Sequence, residues 1–173
     1  LRRSRGLGDV YKRQPYMFVI TRGFGLFPKL MQRWAYISRL ALDRFASKRI
    51  ADVDVLVGLS GCATLTGKLV QKNGGIFICD RGSSHISYQN EILHEEYKRW
   101  NLLFSGIYHR AIKRELLDYS SADIITVPSD FVYQSFISKG VDPVKVKKIP
   151  YGCRLERFQK VSEPSTENFT VIW

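Results

Sequence analysis

From Asp54 to Ile149 short apolar, β-prone runs alternate with helical stretches, and this alternation leaves few folds open. The runs are Asp54–Leu59, Ile76–Cys79, Ile124–Val127 and Val144–Ile149. Between them the spacing predicts helices over Thr64–Lys72, Tyr88–Phe104, Ile107–Ser120 and Phe131–Lys139. Asn73-Gly74-Gly75 breaks the first, and Gly140 ends the last. Strands separated by whole helices cannot pair as hairpins. They imply a parallel sheet in an α/β domain, with helices on both faces.

The flanks read differently. Leu1–Gln14 has neither helical nor strand periodicity, no initiator Met, and five basic residues against one acid. It reads as a non-native leader over 1–14, set apart from a domain over 15–160. Tyr16–Thr21 is β-prone and meets a turn at Arg22–Gly25. Over Leu26–Ile50, Leu30, Trp34, Ile37, Leu40, Ala41 and Phe45 recur at three and four, as in an amphipathic helix or a broken pair of helices. Arg33, Arg39, Arg44, Lys48 and Arg49 fall on the other face, which reads as solvated; a second reading lays the helix on anionic lipid. Lys160–Asn168 is polar and holds Pro164, and Phe169–Trp173 opens a new β run. Residues 161–173 are therefore expected to be a linker and the first strand of a further, missing domain.

Composition narrows the class. In 173 residues, 45% hydrophobic and 13% aromatic content supports a packed core. No apolar run is long enough to span a bilayer, and no signal peptide is visible. Cys62, Cys79 and Cys153 lie far apart without CxxC spacing, which fits a reducing cytoplasm rather than disulfides or a structural zinc. The net charge of +11 admits nucleic acid, anionic lipid or an anionic substrate. The aromatics do not interleave with a basic stripe, so nucleic acid is not an expected partner.

In an open parallel sheet, ligands bind beyond the carboxyl ends of the strands. That rule selects Ser60–Cys62, Asp80–His85, Pro128–Asp130 and Pro150–Arg154. Asp80-Arg81-Gly82-Ser83-Ser84-His85 offers a carboxylate, a guanidinium, two hydroxyls, an imidazole and a glycine that admits close backbone approach. Its bland alternative is a capped turn, with Ser83 or Ser84 as N-cap. Gly61–Lys68 only imitates a P-loop: five residues separate the glycines and Leu69 stands where a hydroxyl is needed. His85, His94 and His109 lack metal-pair spacing, so no metal is expected. No G-x-S-x-G nucleophile elbow occurs, and no G-x-G-x-x-G follows a strand, which disfavours an epimerase-like nucleotide-binding protein.

Ala122-Asp123-Ile124-Ile125-Thr126-Val127-Pro128-Ser129, then Phe131-Val132, Ser135-Phe136, Gly140, Lys147-Lys148-Ile149-Pro150-Tyr151-Gly152 and Leu155-Glu156-Arg157-Phe158, follow one another in a distinctive order. That order resembles the end of the N-terminal domain in retaining "group 1" glycosyltransferases of the GT-B fold. Arg154 stands where that family usually has Asp. The resemblance implies the incomplete N-terminal half of a GT-B architecture, a Rossmann-like domain that binds acceptor, with the nucleotide-sugar half missing. It implies sugar transfer with retention, no cofactor, an acceptor that is a saccharide or lipid-linked, and a fragment inactive by itself. His85 is then the expected catalytic group, with Gly61, Asp80, Arg81, Gly82, Ser83, Ser84, Ser129, Tyr151 and Gly152 binding substrate. The expected location is cytoplasmic, with peripheral attachment to the inner face of the membrane as an extension. The rival reading is a non-enzymatic basic module that binds anionic membrane or nucleic acid.

Overall fold

A computed structural model of the chain describes residues 28–50, 52–152, 154 and 156. The expected leader, the Tyr16–Thr21 run, the linker and the Phe169–Trp173 run lie outside the described residues. The elements, in order, are α1 (Pro28–Ser47), β1 (Val55–Leu59), α2 (Thr64–Lys72), β2 (Ile76–Asp80), α3 (Ile86–Arg99), α4 (His109–Ser121), β3 (Ile124–Val127), α5 (Asp130–Ile137) and β4 (Val146–Lys148).

The four strands form one parallel sheet in the order β1-β2-β3-β4. Leu59 pairs with Asp80, Asp80 with Thr126, and Thr126 with Lys147, so all four strands end at one rim. The α/β class read from the alternation is therefore seen directly. Three boundaries have a visible local reason. Pro28 opens α1 at a first-turn position, where its missing N–H costs nothing, and α1 is one continuous helix. Ser129 caps α5, accepting from the Val132 N–H at 3.4 Å. Asn101 takes φ 52 just beyond α3, which stops at Arg99, short of the expected Phe104.

Helices on both faces were expected, but among the described residues they cover one. Phe77 and Cys79 of β2, Ile125 and Val127 of β3 and Val146 of β4 join Ala63, Ile86, Tyr119, Val132 and Phe136 in a single core. The opposite face presents Val55, Val57 and Leu59 of β1 and Ile76 of β2 to solvent. Topology explains this: right-handed crossovers between strands whose spatial order repeats the chain order must all fall on the same side. A second layer needs an order that reverses, and these four strands contain no reversal.

α1 lies on α2 rather than on the sheet, and its polarity is the reverse of the usual amphipathic arrangement. Gln32, Tyr36, Arg39 and Asp43 turn inward, with Asp43 fully buried. Leu30, Trp34, Ile37 and Phe45 are exposed. In α4 likewise, Arg114, Glu115 and Asp118 are buried while Leu117 is exposed. The basic residues were expected on the face opposite the apolar stripe; instead Arg39 turns inward, and Arg33, Arg44, Lys48 and Arg49 are exposed together with Leu30, Trp34, Ile37 and Phe45.

Candidate functional site

The inverted helices meet in a seam of buried charge beside the rim. Ala63 at the start of α2 has no side chain able to cap the helix, so the orphan N–H groups of the first turn need acceptors from elsewhere. Asp43 of α1 supplies them, accepting from the Leu65 N–H at 2.8 Å, the Thr66 N–H at 3.0 Å and the Thr66 hydroxyl at 2.7 Å. Arg114 pairs with Asp43 and donates through Nε to the Gly61 carbonyl at 2.8 Å. Asp118 accepts from the Gly61 N–H at 2.7 Å and from the Thr64 hydroxyl.

Two carboxylates in this seam differ in environment. Burial alone would raise the Asp43 carboxyl, but the bonds from Thr66, Leu65 and Arg114 outweigh it and hold Asp43 below its ordinary value. At Asp118 burial wins over the bonds from Thr64 and Gly61, and its value is raised.

Glu115 is the hub. It accepts from Arg39 Nη1 at 3.2 Å, Arg81 Nη1 at 2.6 Å, the Ser60 hydroxyl at 2.8 Å and the Tyr119 hydroxyl at 2.9 Å. Gly61 sits behind it at φ +80, and a Cβ there would lie 3.1 Å from Glu115 Cγ and 3.2 Å from Arg39 Nη1. Only glycine satisfies both the left-handed backbone and this close approach.

Above Glu115 opens a cleft of about 290 Å³ between α1, α3 and α4. Its walls include Gln32, Tyr36, Arg39, Arg81, Ser83, Gln89 and Tyr108. Tyr36 and Tyr108 meet edge-on with ring centres 5.5 Å apart. Two guanidiniums against one buried carboxylate leave the cleft with net positive charge. It offers hydroxyl and amide groups and aromatic edges, which suits a polar, neutral or anionic ligand. Compared with family models, curated proteins and solved structures, the chain matches none.

The residues expected to form the site separate here. Arg81 and Ser83 line the cleft and Gly61 backs it. Arg81 is not a free anion clamp: besides Glu115 it donates to Ser60 Oγ, to the Ser84 carbonyl and to Gln89 Oε1 at 2.8 Å. Ser84 is buried and takes part through that carbonyl. Asp80 lies on the open sheet face, accepting from the Thr126 hydroxyl at 2.7 Å. Ser129 is spent capping α5. Tyr151 reaches back over Gly82, where a Cβ would lie 2.5 Å from its hydroxyl, and Gly152 is exposed. These last residues share the rim but not the cleft.

His85 is the clearest correction. It was expected to face ligand, yet it is 4% exposed. Its ring packs 5.1 Å from both Tyr119 and Phe136. It also serves as the N-cap of α3 in place of Ser83 or Ser84, with Nδ1 accepting from the Ser87 N–H at 3.2 Å. Burial, with Lys139 and Arg81 nearby, pulls its pKa down to about 4, so the imidazole is neutral near pH 7. Held in packing against Tyr119 and Phe136, the ring does not line the cleft.

Sequence reasoning missed Asp43, Arg114, Glu115 and Asp118, and left Arg39 on a solvated face. One signal was present. Asp43 is the only acid within a strongly basic helix, and Ala63 is a poor cap for the helix that Asp43 serves.

Proposed function

We propose that this domain is the acceptor-binding half of a GT-B-type glycosyltransferase, holding a saccharide or lipid-linked acceptor while a nucleotide-sugar half supplies the donor. The reading rests on one observation: a positively charged, hydroxyl- and amide-lined cleft at the carboxyl rim of a parallel sheet, in a chain whose 122–158 segment resembles that family. Without His85, the domain's own part is binding and electrostatic. Arg39 stands partly exposed at the wall of the cleft, Ser83 and Gln89 address hydroxyls, and Tyr36 and Tyr108 offer ring edges to a sugar. The paired guanidiniums favour negative charge arriving or developing beside them.

Titration of the chain with nucleotide sugars and with free saccharides, followed by NMR at Arg39, Arg81 and Gln89, tests this. Saccharides should shift these signals. Arg39→Gln should weaken binding roughly 10-fold or more, the worth of a hydrogen bond to a charged group. Identical shifts in Arg39→Gln, or none across a saccharide panel, would remove the cleft from the reading.

A further inference from the structure

The outward face of α1 combines exposed apolar side chains with exposed basic ones. Leu30, Trp34, Ile37 and Phe45 recur along it at spacings of four, three and eight residues, one or two helical turns, and Trp34 is 51% exposed. This orientation is fixed from beneath. Asp43 is bound to the first turn of α2, Arg39 to Glu115, and Gln32 donates to the Gly106 carbonyl at 3.3 Å. Turning the apolar stripe inward would strip those groups of their partners, so the exposure is built in. Exposed Lys29, Arg33, Arg44, Lys48 and Arg49 surround the stripe. The Arg49 guanidinium sits 3.5 Å over the Phe45 ring, placing positive charge directly on the apolar surface. The loop that α1 touches through Gly106 also carries Leu102 and Leu103, and Leu103 is wholly exposed.

We propose that α1, with the adjoining Leu102–Leu103 loop, seats this domain on an anionic lipid surface. An apolar stripe with a tryptophan, edged by arginine and lysine, matches an interface where acyl chains lie below phosphate headgroups. No described helix is long and apolar enough to cross a membrane, so the contact is with the surface. The charge argues for lipid over a second copy: two such faces brought together would oppose their own arginines. This inference stands independently of the glycosyl-transfer reading, since the residues that would meet the lipid do not line the cleft.

The experiment is co-sedimentation of the whole chain with vesicles of phosphatidylcholine alone and of phosphatidylcholine mixed with phosphatidylglycerol. Binding should be confined to the anionic vesicles and weaken with salt. Trp34→Gln with Ile37→Gln should weaken it about 10-fold or more, with an unchanged melting temperature because both side chains point outward. Arg33→Gln with Arg44→Gln should weaken it about 25-fold, at roughly five-fold for each charge near an anionic surface. Tryptophan quenching by brominated acyl chains should drop in Trp34→Phe. Wild-type binding by either double variant would overturn the proposal. So would a dimer that Trp34→Gln dissociates, which would assign the stripe to a second copy. A large fall in melting temperature for Trp34→Gln with Ile37→Gln would overturn it too, by showing that the rest of the chain covers the stripe.

Discussion

The sheet-side core and the α1–α4 seam hold the same small domain together by opposite means. The core buries Phe77, Ile125, Val127 and Phe136 completely or nearly so, and its residues follow ordinary strand and helix periods. The seam buries Asp43, Arg114, Glu115 and Asp118 and leaves leucines and a tryptophan outside. Every buried side-chain polar atom among the described residues finds a partner, so each charged group of the seam depends on the one that bonds it. The difference teaches where each region should fail. The core should lose stability in proportion to volume removed, whereas the seam should fail when one partner of a pair is taken away.

The sharpest way to break that contrast is Asp43→Ala. It leaves Arg114 buried without its carboxylate and uncaps α2, and should cost about 3–5 kcal/mol in urea denaturation. A cost below about 1 kcal/mol would mean that the seam is ornamental. Phe136→Ala, which opens a cavity in the core, should also cost about 3–5 kcal/mol, but a smaller apolar residue such as Leu should recover much of that loss. No isosteric apolar residue should do the same for Asp43 alone.

His85 separates the regions by pH. The unfolded chain titrates it near 6.5 and the folded chain near 4, so protons favour the unfolded state below pH 6.5. Its contribution is complete above pH 6.5, declines as pH falls toward 4 and is absent below that, a loss of about 3 kcal/mol. In His85→Phe that part of the decline should vanish from chemical-denaturation curves taken across this range. An unchanged slope would show that His85 is not buried neutral.

Two smaller effects sharpen the comparison. Gly61→Ala forces a side chain into φ +80 and against Glu115, and should cost about 1–2 kcal/mol. Ser129→Ala removes a cap on the core side and should cost about 0.5–1 kcal/mol. Calorimetry of the pair should rank them in that order.

The same contrast explains what could be read in advance. β2 and β3 were legible because Ile76–Cys79 and Ile124–Val127 are short, apolar and bounded by turn residues. The rim was legible because parallel strands must end together. The one-sided helix layer was not, since sequence periodicity does not report strand order. The seam was hidden because its signals run against the apolar-inside rule: Leu117 reads as core and Glu115 as surface until Arg39, Ser60 and Arg81 arrive from three other elements. His85 misled because the loop before it in sequence is polar while its neighbours in space, Tyr119 and Phe136, come from α4 and α5.

The four-way bonding of Glu115 has a consequence for how such a chain can change through descent. A substitution at 115 strands donors on α1, on two strand-end loops and on its own helix at once, and no single compensating replacement can rescue all of them. Positions 39, 60, 81, 115 and 119 should therefore vary together or scarcely at all in related sequences, leaving a covariation footprint centred on the floor of the cleft.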